Sequence, residues 1–285
     1  MTPTAKTIQI FLPSGDPRGL RIAEITTRIV QVIEVPRSRL DEFAQMAESG
    51  QVGVYFLFGS DAELDDPQVY IGQTGDLRTR LANHHSKKEF WQRALVLISR
   101  TNSLTQTHAL FLEWHCMKLA AEAGRYRVEN GNAGSKPHTP APMEADCLEI
   151  HETGSILLST LGFPVFEAVA KASIGDETFY CHANGADGRA MLTDDGFVVL
   201  KGSIGRRENV PSIRGTSTER LRLKLVETGV MREDGEKVVF EKDHLFGSPS
   251  MAGMALLGRT ANGWITWKTK DGRTLDEVKR KGEAS

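Results

Sequence analysis

The sequence predicts an α+β fold in two domains, and three observations carry that prediction. Short β-prone runs rich in Ile, Val, Phe and Tyr recur in both halves of the chain ("TIQIFL", "GVYFLFG", "ETFYCHA", "GFVVLKG"). Other segments place apolar residues at helical spacing, and "SLTQTHALFLEWHCMKLAAEAG" is the strongest of these. A Gly- and Pro-rich stretch, "NGNAGSKPHTPAPMEAD", breaks both patterns near the middle and marks a linker.

Taken in order, "TIQIFL" and "GLRIAEITTRIVQVIEV" read as strands. "SRLDEFAQMAESG" places Leu40, Phe43 and Ala47 on one helical face and stops at Gly50. Residues 1–50 thus form a β-rich extension with a helix. "GVYFLFG" and "QVYIG" are strands of a hairpin joined by the acidic loop "SDAELDDP". Gly72 and Gly75 permit a tight turn, and Asp76 caps a helix through "LRTRLANHH". "EFWQRALVLIS" leads from a short helical or turn segment into a strand. The long helix that follows is capped by Thr105, carries Ala109, Leu112, Cys116, Leu119 and Ala123 on one stripe, and ends at Gly124. Residues 133–147 are the linker, and residues 148–285 the second domain. There "CLEIHETGSILLSTLGF" reads as a helix and "PVFEAV" as extended. "ETFYCHA", "GRAMLTDDGFVVLKGS" and "EKVVFEKD" read as strands, with Asp195-Gly196 as a hairpin turn. "STERLRLKLVETG" and "SPSMAGMALLG" are helices, the second capped by Ser248 with Pro249 at its first position. "NGWITWKTKDGRTL" closes the chain as strand and turn.

Composition narrows the function classes. The 285 residues are 40% hydrophobic and 25% charged, with a formal charge of −2, as in an ordinary globular protein. No apolar run approaches the ~20 residues that span a bilayer, and the first residues lack a signal-peptide core, so a cytoplasmic location is expected. Cys116, Cys147 and Cys181 are too scattered for a zinc site or disulfide framework and read as buried thiols. The charge is uneven. Between Asp76 and Asn130 basic residues outnumber acidic ones, and Arg78, Lys87 and Lys88 there are candidate nucleic-acid contacts.

Glu113 is the first anomaly. It shares a helical face with Ala109, Leu110, Cys116 and Ala120, where a carboxylate loses hydration and needs a cation, a donor or a proton. It reads either as an edge residue or as an oxygen ligand for Mg²⁺ or Mn²⁺. Tyr55 and Tyr70 lie in apolar strands, where packing alone accounts for a tyrosine. Arg80 and His84 are four apart and project to one side of their helix; the first suits a phosphate oxygen and the second a proton transfer. His85 reads as a solvent-exposed neighbour.

In combination, "GVY" at 53–55, "YIG" at 70–72, "TGDLRTRLANH" at 74–84, "LFLEW" at 110–114 and an Asn near 130 resemble the GIY-YIG endonuclease family in order and spacing. The resemblance covers residues 51–132 and departs from the family in "GVY" and in a long gap between the two tyrosine motifs. It implies a small three-stranded antiparallel sheet flanked by helices, and phosphodiester hydrolysis with one divalent metal, Mg²⁺ or Mn²⁺. It implies that Tyr55 is the general base or water-activating phenol, that Tyr70 positions phosphate or water, and that Arg80 stabilises charge on the phosphate. His84 would assist proton movement, and Glu113 would bind the metal. The family Asn is offered by Asn130 and Asn132, with Asn130 preferred.

The C-terminal half resembles a domain of unknown function commonly attached to such nucleases. Lys201, Arg206 and Arg207, with Arg214 near them, are candidate backbone contacts. The N-terminus of the "SPSMAGMALLGR" helix is a candidate phosphate site. Alternation in "NGWITWK" puts Trp264 and Thr266 on one face, a candidate base-stacking platform. The expected function is a metal-dependent endonuclease acting on DNA. The alternatives are a nucleic-acid-binding regulatory module with an inactive site, and a nuclease directed at RNA.

Overall fold

The computed structural model describes residues 4–61, 66–131, 133–168, 177–183, 185–193 and 195–280. The chain divides into two units, the first ending at residue 168. Both mix helices with largely antiparallel sheets, so the α+β expectation holds. Among the described residues no helix is long and apolar enough to cross a membrane. The centre of the acidic loop and Asn132 lie outside the described residues.

The first unit contains strands β1 (Ile8–Phe11), β2 (Arg21–Ile25), β3 (Val30–Pro36), β4 (Gly53–Asp61), β5 (Asp66–Thr74), β6 (Trp91–Ser99) and β7 (Arg127–Val128). Its helices are α1 (Leu40–Ala44), α2 (Leu77–Lys87), α3 (Gln106–Ala123) and α4 (Ala141–Thr160). One seven-stranded sheet runs β1-β2-β3-β6-β4-β5-β7, antiparallel except for the β5·β7 pair. The small sheet expected for residues 51–132 is its β6-β4-β5 portion. Residues 1–50 are not a separate extension, because β3 pairs with β6 along seven residues from Val30↔Ser99 to Pro36↔Arg93.

Period-two alternation gives the sheet two apolar faces. Val54, Phe56, Phe58, Val69, Ile71, Leu95 and Leu97 face a core shared with α3 and α4. Tyr55, Leu57, Ala94, Val96 and Ile98 face a second core with Leu77 and Leu81 of α2 and Phe43 of α1. Residues 148–168 belong to the first unit. Cys147, Ile150, Leu157 and Leu158 of α4 are buried in its core, so the segment read as a linker runs into a helix. Gly154 of α4 meets the sheet closely, since a Cβ there would lie 2.3 Å from Leu97 Cδ1. All three cysteines are free and buried, as expected.

The second unit contains β8 (Thr178–Ala183), β9 (Ala186–Thr193), β10 (Gly196–Val199), β11 (Ile204–Arg206), β12 (Met231–Asp234), β13 (Lys237–Phe240) and β14 (His244–Phe246). Its helices are α5 (Ser217–Glu227), α6 (Pro249–Leu257), α7 (Gly263–Thr266) and α8 (Leu275–Lys279). The sheet order is β12-β13-β11-β9-β10-β14, with β8 on β9. Ser248 caps α6 as expected, its Oγ accepting from Met251 N at 3.2 Å. The closing "NGWITWK" stretch is not a strand. Asn262 Oδ1 accepts from Trp264 N at 3.1 Å and starts the single turn α7. Trp267 is wholly buried, donating from Nε1 to Pro249 O at 3.0 Å, and the Arg280 guanidinium covers the Trp264 ring at 3.6 Å. Neither tryptophan offers the stacking platform that strand alternation suggested.

Candidate active site

Strand parity puts Tyr55 and Tyr70 on the α2 side of the sheet, with ring centroids 6.3 Å apart. Helix α2 starts where Asp76 Oδ1 accepts from Thr79 N at 3.3 Å, and its spacing sets Arg80 and His84 over the two rings. The Tyr55 hydroxyl lies between them. It accepts from Arg80 Nε at 2.9 Å and contacts His84 Nε2 at 2.8 Å. The His84 ring sits 5.3 Å from that of Tyr55 and 5.2 Å from that of Tyr70. Lys88, after the end of α2, places its ammonium 4.3 Å above the Tyr70 ring.

Burial keeps both partners of the Tyr55–His84 contact neutral. Burial, with help from Arg80, Lys88 and Lys87, pushes His84 down to about 4, so its imidazole is neutral at pH 7. Burial likewise raises the Tyr55 phenol above its ordinary value, against the opposing hydrogen bond from Arg80. A neutral imidazole leaves His84 Nε2 able to take the Tyr55 proton while the phenol oxygen accepts from Arg80. Tyr55 is 0% exposed. Arg80 is exposed, and Tyr70 and Glu113 are partly buried, so these three meet solvent.

This wiring predicts an acid-sensitive fold. The folded state holds His84 near 4 and the unfolded state near 6.5, so the unfolded chain takes up the proton first as pH falls. The stabilisation is complete above pH 6.5 and is lost progressively down to pH 4. Its loss amounts to about 3 kcal/mol at most, at ~1.4 kcal/mol per pH unit. Urea unfolding at pH 7 and pH 4.5 should show a smaller acid loss in His84→Gln than in the parent.

Gly72 is what admits the Tyr55 ring. It lies within β5, opposite Tyr55 in the ladder, rather than in a turn. A Cβ there would lie 2.2 Å from the Tyr55 hydroxyl oxygen and 2.4 Å from Cζ. Gly75, by contrast, has ordinary room. Gly72→Ala must push the ring off its partners. It should cost about 1–3 kcal/mol in a urea melt.

Glu113 reaches the same strand from α3. Its Oε1 accepts from Gln73 N at 3.1 Å, and burial raises its carboxyl above the ordinary range, with Gln73 N–H and the Arg80 charge opposing. Asn130 engages the backbone of the same strand. Its Oδ1 accepts from Ile71 N at 2.8 Å and its Nδ2 donates to Ile71 O at 2.6 Å. Beyond the short β5·β7 pairing the outer edge of β5 is open, and Asn130 and Glu113 satisfy its backbone in succession. Asn130 is therefore a clamp on the strand that carries Tyr70.

The donor set bears on a metal. Among the described residues no group of three or more His, Cys, Asp or Glu side chains converges. One partly buried carboxylate fits a hard cation whose remaining ligands are water and substrate phosphate, the usual habit of Mg²⁺. A cation there would also reverse the burial that raises Glu113.

Other candidates fall elsewhere. Arg78 is tied to the buried Ser49, donating from Nε and Nη2 to its Oγ at 3.1 and 3.0 Å. Lys87 is exposed on α2. In the second unit Lys201 is exposed, Arg206 is partly buried in β11, and Arg207 pairs with Glu233 at 2.9 Å. Sequence reasoning missed Arg37. It donates to His85 O at 2.8 Å, to His85 Nδ1 at 3.3 Å and to Glu89 O at 2.9 Å, fastening the end of α2. His85, exposed as expected, is thereby an anchor for the helix that presents Arg80 and His84.

Comparison of the chain with curated proteins and with solved structures gives no match. Residues 179–279, from within β8 to the end of α8, match the family model described as a domain of unknown function (DUF4357), and the second unit carries that domain.

Proposed function

We propose that the first unit is a metal-dependent endonuclease that hydrolyses phosphodiester bonds in DNA. The observation that carries this reading is the linked set Arg80–Tyr55–His84, with Tyr70 beside it and Glu113 on the adjoining strand edge. These are the residues on which the GIY-YIG resemblance rests, and no packing requirement calls for a guanidinium, a phenol and a neutral imidazole in one chain of hydrogen bonds.

Phosphoryl transfer needs position and charge more than covalent chemistry from the protein. Arg80, exposed and doubly engaged with the tyrosines, holds a phosphate oxygen and offsets charge developing there. Tyr55 accepts the proton of an attacking water as it gives its own to His84 Nε2. Tyr70, under Lys88, positions the phosphate. Glu113 would hold Mg²⁺ or Mn²⁺, which supplies when bound the positive charge that further offsets the transition state.

The 0% exposure of Tyr55 favours one alternative, a nucleic-acid-binding module whose catalytic site is closed. A cleavage screen separates them: Mg²⁺ or Mn²⁺ against single-stranded, duplex, branched and methylated DNA and against RNA. Cleavage of DNA that is lost in Glu113→Ala supports the nuclease. Binding without cleavage of any substrate favours the module, and cleavage of RNA alone redirects the substrate.

A further inference from the structure

A groove of about 710 Å³ runs along α3, with Trp114, Met117 and Val128 among its walls and Lys118 and Lys136 beside them. That volume lies within the range of ordinary ligand sites. None of the roles assigned above uses it, yet it adjoins the site. Trp114 follows Glu113 on α3, and Asn130, also on its wall, is the clamp on Ile71 next to Tyr70.

We propose that this groove seats an unpaired nucleotide of the strand being cut, so that the substrate carries a single-stranded segment beside the scissile phosphate. The inference deepens the nuclease reading and rests on it for the identity of that strand. Trp114 is only partly buried, and the ammonium groups of Lys118 and Lys136 each lie 5.9 Å from its ring centroid. Lys136 also lies 5.6 Å from the Phe111 ring. An aromatic face flanked by cations is what an unpaired nucleotide needs: the base stacks on the indole and the phosphate takes an ammonium. A base held in a duplex cannot present its face in this way.

The two lysines hold carboxylates in its absence, Lys118 to Glu122 at 3.9 Å and Lys136 to Glu144 at 2.5 Å. Exposed pairs of this kind are weak enough for a phosphate to replace them. Met117 and Val128 give an apolar wall without directional groups, and the Asn130 amide is engaged by Ile71. The groove therefore stacks a base without reading which base it is.

The test is binding by the full chain in EDTA, where no cleavage intervenes. Fluorescence anisotropy would follow a labelled oligo-dT, an oligo-rU of the same length and a blunt DNA duplex, the first two separating DNA from RNA. Trp114→Leu should weaken single-strand binding roughly 5- to 100-fold and leave duplex binding unchanged, while Trp114→Phe retains most of the affinity. Lys118→Ala with Lys136→Ala, which leaves the core untouched, should flatten the salt dependence of single-strand binding. Parental single-strand affinity in both Trp114→Leu and the double lysine variant overturns the inference, as does an equal loss on duplex. If the parent cuts DNA while these variants bind as it does, the groove assignment falls and the nuclease stands. If single strands bind through Trp114 and nothing is cut, the nuclease falls and the groove stands.

Discussion

Glu113→Gln is expected to abolish Mg²⁺-dependent cleavage while the protein melts as the parent does. The carboxylate has two separable duties. Its Oε1 takes the backbone N–H of Gln73 at 3.1 Å on the open edge of β5, and under the proposed reaction its partly buried negative charge would hold the cation. Glutamine preserves the acceptor and removes the charge. Alanine removes both and leaves the Gln73 N–H without its partner, which costs about 1–3 kcal/mol. The two variants should therefore differ in urea midpoint and agree in rate. Both should fall by on the order of 10³-fold or more, as when a preorganised charge is removed from a transition state. Plasmid nicking with Mg²⁺ and Mn²⁺ reads the rate. A Glu113→Gln protein that cuts at the parental rate would remove Glu113 from the chemistry and leave it as a strand cap.

What the sequence disclosed about this site follows from short periods. The four-residue step put Arg80 and His84 on one side of α2, while the shared sheet face of Tyr55 and Tyr70 emerges only once β4 pairs with β5. Glu113 was visible as a carboxylate among apolar helix positions. Information that depends on distant partners was not legible. Alternation says which face a residue takes but not which strand lies beside it, so the union of β3 with β6 was hidden. Gly72 looked like turn punctuation because its need arises from a ring seventeen residues earlier in the chain. The clamp that Asn130 sets on Ile71 was not legible because the bare edge of β5 exists only once the sheet is assembled. The presumed linker misled for a local reason. Pro142 lies in the first turn of α4, where a missing N–H costs nothing. In "NGWITWK" the Asn262 cap and the burial of Trp267 override an apparent strand alternation.

Tyr55→Phe is expected to slow cleavage by about 10²–10⁴-fold, the usual span for removing a proton-transfer group, with the ring still in place over Gly72. The substitution deletes one oxygen that serves two neighbours. Arg80 loses the acceptor for Nε, and the nearly buried His84 loses its partner at Nε2. Arg80 is exposed and can turn to solvent or phosphate, so its loss is small. His84 is 7% exposed and keeps the full desolvation cost of an unpaired nitrogen, about 1–3 kcal/mol. A purely structural tyrosine would show that stability loss with an unchanged rate per folded molecule. A relay predicts more. His84 must be neutral to take the phenol's proton, so parental activity should rise with pH through about 4 and then stay level across neutrality. Tyr55→Phe should lose the dependence on His84, and His84→Gln should add little further loss in the Tyr55→Phe background. Rates measured from pH 4 to 9 on both single variants and the double variant decide it. Fully multiplicative losses would mean that the two residues act separately and that the 2.8 Å contact between them carries no proton.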